Sequence, residues 1–230
     1  MGISSSSGFV VAIDGPSGSG KSSASRGVAS ALGLSYLDTG AMYRALTWWL
    51  LSAGVDTADE KLVAARTTEA AIEVCTDPDD PWTRVNGHDV SREIRSEAVS
   101  AQVSGVAMVQ AVRDHLIAAQ REIISSADVG IVAEGRDIGT VVAPQAALKV
   151  FLTADPQARA RRRAAEQGTA VDATEAAQAR RDRLDAAQSQ MAADAVLLDA
   201  TELSLAEVIE EIARLARERS ELACTGDKSS

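Results

Sequence analysis

Gly15-Pro-Ser-Gly-Ser-Gly-Lys21-Ser22-Ser23 fits the spacing GxxxxGK[ST] without a gap and directly follows the apolar run Phe9 to Ile13. In that pattern a buried strand enters a glycine-rich turn whose backbone N–H groups converge on phosphate oxygens, and a helix opens with its positive end at the same point. Gly15, Gly18 and Gly20 permit positive φ and put no side chain between backbone and ligand. Pro16, Ser17, Ser19 and Ser23 complete the cradle. Lys21 supplies a point charge for β and γ phosphates, and Ser22 a hydroxyl for Mg²⁺. A chance match to a Gly/Ser-rich loop is the bland alternative. It fits less well, because Ala24, Val28, Ala29 and Leu32 mark an apolar helical face just beyond the motif. The spacing therefore implies a nucleoside triphosphate ligand.

A phosphate cradle leaves the acceptor open: water, a protein, a sugar or another nucleotide all fit. Arginines narrow the choice. Arg44 follows Asp38-Thr39-Gly40-Ala-Met-Tyr43, and Arg136-Asp137 follows an apolar run ending at Glu134. Guanidiniums at two strand ends suit a second anionic substrate. No histidine or cysteine is placed as a nucleophile or metal ligand, and phosphoryl transfer to an already anionic oxygen needs none.

The elements that must position these groups are legible in outline. Phe9–Ile13, Ser35–Leu37, Val129–Ala133, Leu148–Leu152 and Val196–Leu198 read as strands. Between them fall helices over Lys21–Leu32, around Met42–Leu50, over Ser96–Ser126 with a break near Gly105, and from Pro156, which Asp155 caps, to Gln167. Ser204-Leu-Ala-Glu207 reads as a capping box for a last helix whose Leu205, Val208, Ile209, Ile212 and Leu215 form a core stripe. The fold class expected is α/β: an open parallel sheet with helices on both faces. A small β-rich insertion is expected over about 71–95, with a tight hairpin at Val85-Asn86-Gly87-His88. The expected division is a flexible Ser-rich leader over 1–8, one domain over 9–224 (core 9–70 and 127–224), an arginine-dense lid over about 161–190, and a tail at 225–230. The leader also formally fits an N-myristoylation pattern.

The 230 residues, 46% of them hydrophobic, are enough for one substantial core, and a net charge of −10 disfavours long polyanions. Neither nucleic acid nor membrane is an expected partner. Cys75 and Cys224 form no CxxC pair, consistent with a reducing, cytoplasmic location. A monomer is expected.

Taken together, the motifs resemble the bacterial cytidylate (CMP/dCMP) kinases, in the nucleoside monophosphate kinase group of P-loop proteins. The resemblance rests on Ile13–Ser22, Leu37–Arg44, Asp89–Arg95, Val103-Ser104 with Val112-Arg113, Glu134–Val142, Lys149–Ala154 with Arg159–Arg163, and Arg181–Asp185. It implies transfer of the γ-phosphate of ATP to CMP or dCMP with Mg²⁺. Carried over by position, it makes Thr39, Arg113 and Asp137 readers of the cytosine edge, with Ser104, Arg181 and Asp185 on the sugar. Arg44 and Arg136 fall on the acceptor phosphate beside Tyr43. Arg161 and Arg162 are expected at ATP, and Asp38 at the loop or the metal's water shell, although Asp38 reads equally as a helix N-cap. Gln188 stands where related chains usually have an arginine; either Arg180 or Arg183 substitutes, or the acceptor is held less firmly. Rival readings are a kinase for AMP, UMP or shikimate, and an ATP sensor without transferase activity.

Overall fold

The computed structural model describes residues 8–167, 179–180, 182–185 and 189–226. Two compact units emerge, one comprising the chain up to Tyr36 and from Ile124 onward, the other Leu37–Ile123.

The first unit is built on β1 (Val10–Asp14), every residue of which is buried. An unbroken apolar strand belongs in a sheet covered on both faces. β1 accordingly lies at the centre of a five-stranded sheet that β2 (Ser35–Asp38), β6 (Ile131–Gly135), β7 (Leu148–Thr153) and β8 (Val196–Asp199) complete, in the order β2-β6-β1-β7-β8. β1 pairs in parallel with both β6 and β7, and β7 with β8. The chain leaves β1 toward one side and later crosses to the other, which opens a crevice beyond the carboxyl end of β1.

Helix α1 (Lys21–Leu32) packs against the sheet through Ala24, Val28, Ala29 and Leu32, and stops at Gly33 in the left-handed conformation. The C-terminal helix, α7 (Leu205–Gly226), lies on α1 so closely that a Cβ on Gly27 would sit 2.2 Å from Ile209 Cδ1. Its start is the expected capping box: Ser204 N donates to Glu207 Oε2 (2.8 Å), and Glu207 N to Ser204 Oγ (3.3 Å). Val208 and Ile212 are buried, but Leu205 is half exposed and does not join the stripe. It occupies the first helical position, where the chain has only just turned onto the core. Strand β6 begins at Ile131, two residues later than expected: Val129 is exposed, and Gly130 turns the chain at φ 86°.

The second unit holds α2 (Thr39–Ser52), α3 (Glu60–Arg66), α4 (Glu97–Met108) and α5 (Gln110–Ser125). With them is an antiparallel sheet of β3 (Ile72–Val74), β4 (Thr83–Val85) and β5 (His88–Asp89). Asn86 (φ 51°) and Gly87 (φ 80°) make the tight β4–β5 turn, both central residues left-handed as a type I′ hairpin requires. The helical run over 96–126 breaks at Val109, which is extended (φ −69°, ψ 120°), and not at Gly105, which lies inside α4. A mid-helix glycine costs only about 1 kcal/mol, and the buried Val99, Val103 and Val106 hold α4 together through it. Among the described residues no helix is long and apolar enough to cross a membrane.

Candidate active site

The glycine loop begins where three parallel strands end together. Asp14 is in register with Gly135 of β6 and Phe151 of β7. Gly15 and Arg136 are thus the next residues on neighbouring strands, and Arg136 Nη1 donates to Gly15 O at 3.1 Å. Gly15 (φ 152°), Gly18 (φ 75°) and Gly20 (φ 93°) all take backbone conformations that side chains resist. Gly20 is also the N-cap of α1 and, having no side chain, offers no capping oxygen of its own to the helix's first turn. The positive end of α1 thus faces the loop without a cap from its own N-cap residue.

A ring of cations grips the loop's carbonyl oxygens. Arg136 takes Gly15 O; Lys21 Nζ takes Pro16 O at 2.8 Å; Arg159 Nη1 takes Ser17 O at 3.0 Å; and Arg162 Nη1 reaches Ser19 O at 3.4 Å. In a trans peptide the C=O of one residue and the N–H of the next point in opposite directions. Holding the carbonyls of Pro16, Ser17 and Ser19 by cationic side chains thus directs the N–H groups of Ser17, Gly18 and Gly20 the other way.

Two of these arginines also hold carboxylates of the helical residues 182–185. Arg136 Nη2 pairs with Asp185 Oδ2 at 2.8 Å, and Arg159 Nη1 with Asp182 Oδ2 at 2.6 Å. Arg159 stands on α6 (Pro156–Gln167), whose start Asp155 caps through Gln157 N at 2.8 Å. Arg162 Nη2 additionally binds Ala200 O at 2.5 Å, while Arg161 is exposed.

Behind the loop, Asp14 accepts from Ile138 N and Gly139 N, both at 2.8 Å. Those groups open the π-helical turn Ile138–Val142 that follows Arg136-Asp137. One buried carboxylate thereby ties the Arg136 segment to the end of β1. Burial pushes the Asp14 carboxyl above its ordinary value of 3.8, against the lowering effect of the two N–H donors; Asp137 adds to the rise and Lys21 opposes it. Asp14→Asn keeps one acceptor but aims an amide N–H₂ at the second backbone donor, so it should destabilise the protein by about 1–3 kcal/mol at neutral pH. Because the folded-state value is raised, the native protein binds this proton more tightly than the unfolded chain. Asp14's contribution is therefore largest at low pH and falls as pH rises through the window between 3.8 and the raised value. Urea unfolding of both proteins across that window should show the wild-type margin shrinking as pH rises.

In the second unit, Asp38 is the N-cap of α2, Oδ1 accepting from Ala41 N at 2.9 Å, and its other oxygen lies 3.5 Å from Arg95 Nη2. The exposed Arg95 partner is worth little. Thr39 and Arg44 are buried and Tyr43 is half-buried, all on α2. Arg44 Nη1 donates to Ile94 O (3.1 Å) and Ser100 Oγ (3.0 Å), spanning the turn into α4. Ser104 is buried on α4 and Arg113 half-buried on α5.

Of the residues expected at the site, the first unit brings together Gly15–Ser23, Arg136, Arg162 and Asp185, with Asp137 buried beside Arg136. Arg181 and Gln188 lie outside the described residues; Arg180 and Arg183 are exposed. Sequence reasoning missed Asp14, Arg159 and Asp182. Asp14 carried a signal, being the one charged residue at the end of an otherwise apolar strand; Arg159 carried none, standing in a run of arginines from which only its burial between Ala158 and Ala160 sets it apart.

A central parallel sheet, a glycine loop after its first strand and arginines gathered on that loop define a P-loop kinase. A gluconokinase from Sinorhizobium meliloti 1021 shares the fold, with a TM-score of 0.53 at 16% identity over 97% of this chain and 99% of the other. The family model for cytidylate kinase matches residues 11–218, and the chain belongs to that family. It is 48% identical over 215 residues to the cytidylate kinase of Streptomyces avermitilis, covering 91% of this chain and 93% of the other. The cytidylate kinase of Mycolicibacterium paratuberculosis is 47% identical over 227 residues, 95% and 99% of the two chains.

Proposed function

We infer that the chain transfers the γ-phosphate of ATP to CMP or dCMP, giving ADP and CDP or dCDP. The observation that carries this reading is the family match over residues 11–218, which takes in the glycine loop and the candidate acceptor residues alike. ATP is assigned to the loop Gly15–Ser23, with Lys21 on the β and γ phosphates and Arg161 and Arg162 on the phosphate chain.

The donor set fits Mg²⁺ held mostly by phosphate oxygens. Ser22 is an exposed hard-oxygen donor in the first turn of α1, and no cluster of three or more His, Cys, Asp or Glu groups suited to an all-protein site occurs among the described residues. When bound, the ion supplies charge neutralisation between the terminal phosphates.

By the family resemblance, the acceptor nucleotide is assigned to Thr39, Tyr43, Arg44, Ser104, Arg113, Arg136, Asp137, Arg181 and Asp185. Thr39, Arg113 and Asp137 suit the amino, ring-nitrogen and carbonyl groups of cytosine. Arg136 and Asp185 neutralise one another until an acceptor phosphate and a sugar hydroxyl take their places. Arg44 and Arg136 then align the attacking oxygen and offset charge on the transferring group, while Asp38 orders the start of α2. The reading also assigns the protein to the cytoplasm, acting as a monomer.

Turnover of CMP, dCMP, UMP and AMP with ATP, followed by ADP release, tests the assignment. A site that hydrogen-bonds the cytosine edge should favour CMP and dCMP over AMP by roughly a hundredfold or more in kcat/KM. Preference for AMP, or no ADP release with any of the four, would overturn it.

A further inference from the structure

We propose that Arg159 is a positioning residue for the nucleotide donor, holding the loop's peptide planes in their phosphate-binding orientation with Asp182 as its counter-charge. The proposal rests on the reading of the loop as an ATP site and extends it to a residue that touches no substrate.

Arg159 is buried, at 8% exposure, and bonds to three separate parts of the first unit. Nε donates to Ala154 O (3.2 Å) at the end of β7, and Nη1 to Ser17 O (3.0 Å) in the loop and to Asp182 Oδ2 (2.6 Å). The contact to Ser17 O sets the plane of the Ser17–Gly18 peptide and hence the direction of Gly18 N–H. Lys21 does the same for the preceding peptide through Pro16 O, but Lys21 is also the charge expected to leave for the phosphates. Arg159 can stay. Its charge is matched within the protein, because Asp182 pairs with it while the other oxygen, Oδ1, is buried without a hydrogen-bond partner. A half-buried carboxylate paired with this arginine, and a buried arginine that also holds a loop carbonyl, form a unit in which either loss should loosen the loop.

Lysine at 159 keeps the charge but cannot span Ala154, Ser17 and Asp182 as a planar fork does. Titration calorimetry of the full chain with ADP, for Arg159→Lys, Asp182→Asn and the pair, tests the proposal without reference to the acceptor. Each single change should weaken ADP binding about tenfold, the scale of one charge-assisted hydrogen bond. The pair should be no more than about twofold worse than Arg159→Lys, because both break one link. The KM for CMP should move less than about threefold, since acceptor contacts are not on this link. A merely structural arginine would lower the melting temperature and leave ADP affinity alone. ADP affinity within twofold of wild type in folded Arg159→Lys, or fully multiplicative losses in the pair, would overturn the proposal. If Arg159→Lys does not fold, unchanged ADP affinity in Asp182→Asn does so by itself.

Discussion

Lys21→Met is expected to lower kcat for phosphoryl transfer by about a thousandfold, the scale seen when one preorganised charge is removed from a transition state, while the melting temperature changes little. The asymmetry follows from where the side chain sits. Lys21 is half-buried in the first turn of α1, outside the packed face formed by Ala24, Val28, Ala29 and Leu32. Its recorded anchor is the Pro16 carbonyl at 2.8 Å, a bond within the loop itself. Methionine fills similar space and leaves that one carbonyl without its donor, an effect of about 0.5–1.5 kcal/mol. Loss of the charge falls on the transition state, in which negative charge is spread over the equatorial oxygens of the transferring group and develops on the leaving diphosphate. Steady-state kinetics with ATP and CMP beside a thermal melt separate the two effects. A variant retaining more than a tenth of wild-type kcat would remove Lys21 from the catalytic role.

Gly15→Ala should do the reverse, damaging fold and activity together. A Cβ at Gly15 would lie 2.0 Å from Leu152 O and 3.0 Å from Leu152 C, both backbone atoms of β7, and φ at 152° is strained for any residue with a side chain. Nothing flexible stands in the way that could swing aside. β7 is tied by parallel pairing to β1 on one flank and β8 on the other, so relief requires the end of β1 or β7 to move. Combining overpacking with a disfavoured φ, the expected destabilisation is about 3–5 kcal/mol. Denaturant unfolding measures it directly, and a loss below 1 kcal/mol would contradict the close approach of loop and strand.

Elements whose signals are local could be read from the chain alone. The bounds of α1, the Asn86-Gly87 turn, the Asp155 cap and the reciprocal Ser204–Glu207 bonds each depend on a few adjacent residues, and each is found as the spacing suggests. The break at Val109 was not legible, because packing of Val99, Val103 and Val106 overrode the glycine at 105. Leu205 fits the periodicity of its helix but lies before the point where α7 meets the core. For the site, the loop and the partners of the resemblance came from motif spacing. Asp14, Arg159 and Asp182 act through contacts more than twenty residues distant in sequence, Asp14 with Ile138 and Gly139, Arg159 with Ser17 and Asp182. Only the folded chain brings those groups together.

That α1 begins at Gly20, which brings no capping side chain of its own, has a consequence for how the molecule endures in the cell. A nucleotide's phosphates supply the anion that this helix end lacks, so ligand association and conformational robustness are thermodynamically linked, by RT ln(1 + [L]/Kd). The total of bound di- and triphosphate then governs more than turnover. A chain with neither on its loop forgoes this contribution and unfolds more readily.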